Sequence, residues 1–398
     1  LLGDLDGNRQ RLYEKGIALD LSLTQVVQGV TSGGEEEQWR YSGTADYSLA
    51  LDSQRIGLWP AGLLTVHGKT KFGRSVNPAA CTLSPVNHAY LTPDTAEESD
   101  SFLEEYYLVQ GLTDKLSFVA GRLLITNYSD ISRFAHDEQT QFLNTALRNS
   151  LLLGVLSSAW SVHGIALPYE ATPDIKLTPF LLSSNDQDGV WGSPGGLFSE
   201  YSIGLLASLR WKLGGLPGEA FPLFGYNSKD ATDLEDPDLG DCIVLGLKLP
   251  HKNDNWLVGF SADQYVYMPE NAGMPTVRTA RFDKTPEGIG IFLRFYFAPE
   301  DRNFWNMFLS GGVGGRGVIL SRPLDRYGLG FYALIESDDL KNQPILSGAF
   351  GTEYGWEAFY NFALTPWLQL TTDFQYIRSG QDGFDHVGVF GMRLQTYF

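Results

Sequence analysis

Apolar and polar residues alternate with a period of two along this chain almost from end to end. The pattern restricts the chain to strands whose two faces meet different surroundings. From Ile17 the apolar set is Ile17, Leu19, Leu21 and Leu23, against Asp20, Ser22 and Thr24. Next come Tyr41, Ala45, Tyr47, Leu49 and Leu51 against Arg40, Ser42, Thr44, Asp46 and Ser48. Leu64, Val66 and Phe72 oppose Thr65, His67, Lys69 and Lys71. Later, Ile203, Leu205, Ala207 and Leu209 oppose Ser202, Ser208 and Arg210, while Ile291, Leu293 and Phe295 oppose Arg294 and Tyr296. Near the end Leu368, Leu370, Phe374 and Tyr376 oppose Gln369, Thr371, Asp373 and Gln375.

A soluble sandwich alternates too, with its apolar face inward. Three features favour a membrane barrel instead. Many segments reach the roughly ten residues that a tilted membrane strand needs, longer than the usual soluble strand. Aromatic residues gather near segment ends, as interfacial girdles do: Tyr41, Trp59, Trp211, Trp256, Trp305, Trp356, Trp367 and Tyr397. The polar faces carry Lys, Arg and Asp in mid-segment, which suits a wet lumen. No apolar run approaches the ~20 residues of a membrane helix. The expected fold is all-β: a transmembrane antiparallel β-barrel of about sixteen strands, since closure removes exposed edges and an even count is usual. Residues 112–115, 214–218 and 364–366 read as short turns, expected on the periplasmic side. Residues 75–100, 125–158 and 268–287 read as long connections. Residues 1–16 form an expected N-terminal periplasmic helical segment, and 17–398 the barrel. No export signal is visible at Leu1, so any such signal is expected to have been removed.

The formal net charge is −18, from 47 acidic and 29 basic residues. Nucleic acid is therefore not an expected partner, because phosphate binding needs a basic stripe. The two cysteines and six histidines show no metal-ligand spacing, so neither a metal nor a cofactor is expected. Gly312-Val313-Gly314-Gly315-Arg316-Gly317 matches the dinucleotide fingerprint in letters only. It lies inside a strand rather than at a strand–turn–helix junction, so small residues permitting a bend are the better reading. No nucleophile elbow occurs and no catalytic residue is expected. A lipase-type barrel enzyme, assembling Ser and His from separate strands, is the alternative from another class.

The opening Leu1-Leu2-Gly3-Asp4 … Gly7 … Arg9 … Leu12 … Gly16-Ile17, then Thr24-Gln25-Val26 … Gln28-Gly29-Val30 … Gly33-Gly34, resembles the carbohydrate-selective porin family. So do Glu104-Glu105-Tyr106-Tyr107 with Ala120-Gly121-Arg122, Arg322-Pro323-Leu324-Asp325, and Pro366-Trp367-Leu368 … Asp373-Phe374-Gln375-Tyr376-Ile377. The resemblance implies about sixteen strands around a sugar-conducting lumen in a bacterial outer membrane, with one long loop folded inward. The expected function is passive, sugar-preferring diffusion of small solutes, with a general diffusion pore as the alternative. Small sugars, outer-membrane lipid and lipopolysaccharide are the expected partners, and a homo-oligomer is compatible with the sequence.

Residues 126–150 are the first candidate site. A short helix is expected from near Asp137, with Phe142, Leu143, Ala146 and Leu147 on one face. Inside a wide barrel that face has only the inner wall to pack on, which would bring Arg133, Asp137, Glu138 and Asn144 to the solute path. The other reading is a loop capping the outside. Lumen-face charges are the second candidate: Lys69, Lys71, Arg74, Arg210 and Arg294. Trp160 with Arg74 and Glu104 or Glu105 offers an aromatic face beneath directional donors and acceptors, the combination that sugar hydroxyls and the apolar sugar face require. Cys81, in the 75–100 connection, and Cys242, expected to open a strand after the acidic stretch 230–241, would bridge in an oxidising compartment if both reach the rim. Two unpaired thiols are the alternative.

Overall fold

The computed structural model describes residues 7–90, 100–157, 159–184, 197–270, 272, 286–319 and 322–398. Residues 1–6, the far part of the 75–100 connection and most of 268–287 lie outside them. In chain order the strands are β1 (Ile17–Ser32), β2 (Trp39–Asp52), β3 (Gly62–Gly73), β4 (Asp100–Gly111), β5 (Ser117–Leu124), β6 (Ser161–Ala166), β7 (Tyr169–Thr172), β8 (Ile175–Ser183), β9 (Tyr201–Leu213) and β10 (Leu216–Asn227). They continue as β11 (Ala231–Thr232), β12 (His251–Lys252), β13 (Asn255–Tyr267), β14 (Gly288–Phe297), β15 (Trp305–Arg316), β16 (Arg326–Glu336), β17 (Glu353–Thr365), β18 (Leu368–Arg378) and β19 (His386–Tyr397).

Each barrel strand pairs antiparallel with its neighbours, and β1 pairs with both β2 and β19, which closes the sheet. β6 and β7 both pair with β8 and flank Leu167-Pro168, so they are two pieces of one strand. Pro168 has no N–H to give to the ladder, and the strand breaks there. β11 and β12 form a separate ribbon in the connection between β10 and β13. Among the described residues the result is a closed barrel of sixteen strands.

The outer wall follows the alternation. Leu21, Ile203, Leu205, Leu293, Leu309, Leu329 and Met392 are exposed and make the apolar belt that a bilayer requires. Exposed rings flank the belt: Trp39, Tyr41, Tyr201, Tyr354, Trp356 and Tyr376 at one end, Trp59, Tyr169, Trp211 and Tyr267 at the other. Two expected girdle residues lie elsewhere. Tyr397 is buried and faces inward, and Trp305 packs edge-on against Phe350 at 5.7 Å. No helix among the described residues is long and apolar enough to cross a membrane.

Short turns share one end of the barrel with the Asn8–Glu14 helix and the C-terminus. Gly214 and Gly215 both have positive φ, the two-residue hairpin geometry whose twist matches the strands, and Leu216–Gly218 already belong to β10. The 366–367 turn lies beside the C-terminus, where the Tyr397 N–H donates to the Trp367 carbonyl at 2.9 Å. A helix, Asn8–Glu14, is held at this end by the Arg9 guanidinium, which donates to the Leu19 carbonyl at 2.7 Å and to the Phe398 carbonyl. Short turns are the periplasmic ones in such barrels. The 268–287 connection leaves β13 and enters β14 at this same end, so long connections are not confined to the outer side.

Both thiols are free, so the bridge between Cys81 and Cys242 is not formed. Cys242 opens no strand; it lies in the helix Leu239–Leu245. The Cys81 thiol is engaged locally, within 3.3 Å of the Pro78 carbonyl.

Candidate functional site: two inward loops and the lumen they leave open

The segment between β5 and β6 crosses the lumen, and strand side chains hold its irregular backbone. Buried carbonyls and N–H groups need partners wherever water is excluded. Arg294 on β14 donates to the Asp130 carboxylate at 2.7 Å and to the Leu147 and Ala135 carbonyls at 2.8 and 2.6 Å. Glu357 on β17 accepts from the Leu143 and Asn144 N–H groups at 2.6 and 2.9 Å. Arg393 on β19 donates to the Glu138 and Gln141 carbonyls at 2.8 and 2.6 Å. The apolar side of the loop uses room that glycines leave on the inner wall. A Cβ on Gly290 or Gly314 would stand 2.2 or 2.7 Å from Phe134, and one on Gly328 2.8 Å from Phe142. Burying each phenylalanine stabilises the loop by roughly 1.5–3 kcal/mol. Gly314 belongs to the fingerprint-like run, and its lack of a side chain here admits the backbone of Phe134.

A second segment, 74–90, also folds inward, although the sequence marks it only as part of a long connection. Glu353 on β17 accepts from the Leu83 and Ser84 N–H groups at 2.6 and 2.8 Å. The two loops bind each other: the Ser84 hydroxyl donates to Asn144 Oδ1 at 2.7 Å, and the His88 N–H to the Leu143 carbonyl at 2.7 Å. The expected helix from Asp137 is a turn; the helix runs only over Thr145–Arg148, capped by the Asn144 side chain at 2.9 Å. The Gln141 side chain enforces that turn by accepting from the His136 and Asp137 N–H groups at 2.7 and 2.8 Å.

Two ionic clusters flank the loops. Lys69 Nζ lies 2.9 Å from Glu104, 3.0 Å from Glu138 and 3.7 Å from Asp46. His67 reaches Asp46 and Glu104, each at 3.1 Å, with its two ring nitrogens. Asp46, His67 and Glu104 are grouped as metal ligands could be, but the Lys69 ammonium supplies the positive charge there. Glu104 reaches this cluster because a bulge opposite His67 and Gly68 turns it inward beside Glu105, so that both are buried. Burial pushes the Glu138 carboxyl up, but Lys69 and Arg148 overrule it and hold the group well below the usual carboxylate range. His88, packed under Arg148 at 2.6 Å, is driven well below the ordinary imidazole value by burial and by that guanidinium. Across the lumen, Arg133 pairs with Asp263 and, at 2.8 Å, with Glu219, which also takes Arg210 at 3.0 Å.

The structure thus brings Lys69, Glu104, Glu105 and Glu138 to one wall and Arg133 and Arg210 to another. Asp137 lines the polar opening beside the first of these walls, while Arg74 lies just beyond the end of β3. Lys71 stands 5.2 Å from the centre of the Phe102 ring. Three expected solute-facing residues are packed instead. Arg294 is fully buried, and Asn144 caps a helix. Trp160 sits edge-on to His88, 6.4 Å between ring centres. Their chemistry is consumed in holding the loops. Sequence reading missed Gln139, Tyr397, Glu219, Asp263, His88 and Arg148. Strand parity signals Glu219 and Asp263, whereas the loop residues carry no periodic signal. Between the loop and β1–β3 remains a polar cavity of about 320 Å³, lined by Asp20, Ser22, Asp46, Ser48, His67, Asp137, Gln139 and Tyr397. Acceptors from three carboxylates and donors from amide, hydroxyl and imidazole can satisfy a polyhydroxylated solute.

The model of the carbohydrate-selective porin (OprB) family matches residues 36–398. The chain is 24% identical to Porin B of Pseudomonas aeruginosa, covering all of this chain and 91% of that protein. It is similar to the high-pH structure of Pseudomonas putida OprB, with a TM-score of 0.84 and 24% identity over all of this chain and 97% of the other. The outer-membrane channel DcaP of Acinetobacter baumannii shares the fold at a TM-score of 0.55 and 11% identity, over 96% of this chain and 97% of DcaP. With matches of this extent to outer-membrane barrels, the chain is a bacterial outer-membrane protein and belongs to the carbohydrate-selective porin family.

Proposed function

We propose that the chain is a passive channel through which small sugars diffuse across the outer membrane, passing the polar cavity beside the inward loops. The observation that carries this reading is that cavity: about 320 Å³, walled by hydroxyl, amide, imidazole and carboxylate groups. Such a set replaces the water around sugar hydroxyls without binding tightly, and a conducting site must be weak enough to leave. The chain's relatives are porins, and this reading assigns no catalytic step to it. The helix Asn8–Glu14 stands on the periplasmic side in this reading. Lipopolysaccharide and bilayer lipid surround the barrel, and self-association into a homo-oligomer is compatible with it.

Planar-bilayer conductance tests the proposal. Glucose should reduce the ion current with millimolar half-saturation, about −4 kcal/mol of binding. A general diffusion pore would carry current that sugars do not reduce, and a barrel enzyme would show ester turnover. Absence of sugar block in open channels would overturn the reading.

A further inference from the structure

One stretch of the lumen wall is mostly apolar, with Lys176, Thr178 and Ser208 among its lining. On the inner faces of β5, β8, β9 and β10, the residues Val119, Leu123, Phe180, Leu206, Phe221 and Leu223 line a cavity of about 290 Å³. The inward loop closes its other side with Tyr128, Ile131, Leu153 and Leu156. An engineered apolar cavity of about 150 Å³ stays dry and accepts benzene. This one has room for a single aromatic ring and the atoms that link it to something larger.

The rim supplies the second half of the argument. Ser208 lines the cavity, and its hydroxyl donates to Glu219 at 2.7 Å. Glu219 holds Arg133 at 2.8 Å and Arg210 at 3.0 Å. Glu219 and Phe221 are two residues apart on one face of β10, as Ile131 and Arg133 are two apart on the loop. A mostly apolar, ring-sized chamber therefore opens beside a chain of carboxylate, guanidinium and hydroxyl groups. A mostly apolar pocket with a few convergent polar groups is what an organic ligand site requires.

We propose that this chamber takes the aromatic aglycone of an aryl glycoside while the sugar ring hydrogen-bonds along Ser208, Glu219, Arg133 and Arg210. The proposal rests on the sugar-channel reading and narrows it to a class of solute. The aglycone leaves water for an apolar wall, and the glycone keeps its hydroxyls satisfied at the rim.

Single-channel recordings of the full chain test this with phenyl β-glucoside, methyl β-glucoside and glucose. Phenyl β-glucoside should block at a half-saturating concentration roughly tenfold or more below that of methyl β-glucoside, since ring burial adds at least that much. Thr178→Trp, which fills the chamber from β8, should erase the difference and leave glucose block unchanged. Ala166→Phe fills it from β6 and serves if the first variant does not fold, folding being read from heat-modifiable gel migration. Equal block by the two glucosides, or an advantage that survives in a folded filled variant, would overturn the proposal. So would an alkyl detergent that blocks more tightly than phenyl β-glucoside and is displaced by filling, which would assign the chamber to acyl chains. If phenyl β-glucoside blocks and filling abolishes it while glucose and methyl β-glucoside never block, the chamber stands and the sugar-channel reading fails.

Discussion

Arg294 and Asp130 have no measurable exposure, yet a guanidinium nitrogen and a carboxylate oxygen lie 2.7 Å apart inside the barrel. A buried pair of this kind gains little over apolar residues of equal volume, but losing one partner strands the other. Arg294→Met should therefore destabilise the chain by roughly 3–5 kcal/mol, measured by urea unfolding in lipid vesicles. Adding Asp130→Asn should recover much of the loss, and an uncorrected double variant would show that the guanidinium serves mainly the Leu147 and Ala135 carbonyls. Parity placed Arg294 on the inner face but could not tell a residue facing water from one facing a loop. Trp160 and Asn144 lie outside the strands, where no parity applies. Asp301, at the barrel rim, is held down to about 2 by Arg302, with burial opposing and Lys252 assisting. Because its folded value lies below the unfolded one, its contribution is present above about pH 4 and disappears as pH falls toward 2. Hydrogen exchange across 231–252, anchored there by Lys252 and the Leu234 N–H, should accelerate over that window relative to the Asp301→Asn variant.

At the scale of elements, the strands were legible and the inward loops were half legible. Alternation located the outer-wall residues because a bilayer and a lumen impose opposite demands on neighbouring positions. The bulge that aims Glu104 and Glu105 the same way breaks that parity without any sequence mark. The apolar run around Phe142 pointed inward, but the partner loop 74–90 did not, since its buried residues are short ones such as Val76, Ala79, Ala80 and Val86. Two predictions follow from how the loops are held. Gly328→Val should collide with the Phe142 and Phe359 rings, release that part of the loop and raise single-channel conductance while the barrel stays folded. Unchanged conductance would mean the rings find another seat without opening the path. His88 and His136 are both lowered well below the ordinary value, burial first and Arg148 next. The released loops would bind protons more readily, so loop stability is full above about pH 6.5 and declines as pH falls below it. Current recordings from pH 7.5 to 5 should show more frequent conductance fluctuations at the acid end, and His88→Gln should reduce that dependence.

For the whole molecule, one period-two pattern serves two solvents, and their separation by a single residue along each strand is the strongest consequence of the fold. Leu293 lies midway along β14, exposed on the outer wall, between partners Ala262 and Gly311. Ser48 lies on β2 and lines the polar cavity with Asp46 and His67. An arginine brings the same charge and bulk to either place, so the difference between the two variants reports the surroundings alone. Leu293→Arg should cost ~2–4 kcal/mol, because the guanidinium must enter hydrocarbon near mid-depth. Ser48→Arg should cost little, since Asp20, Asp46 and Asp137 border the same opening and water reaches it. Its effect should appear in transport instead. The unmodified opening, with three carboxylates around it, should pass cations in preference to anions, and Ser48→Arg should shift the reversal potential in a salt gradient toward the anion side. Equal destabilisation by the two arginines would mean that the wall does not separate lipid from lumen as described. A shift caused by Leu293→Arg but not by Ser48→Arg would place the conducting path outside this cavity.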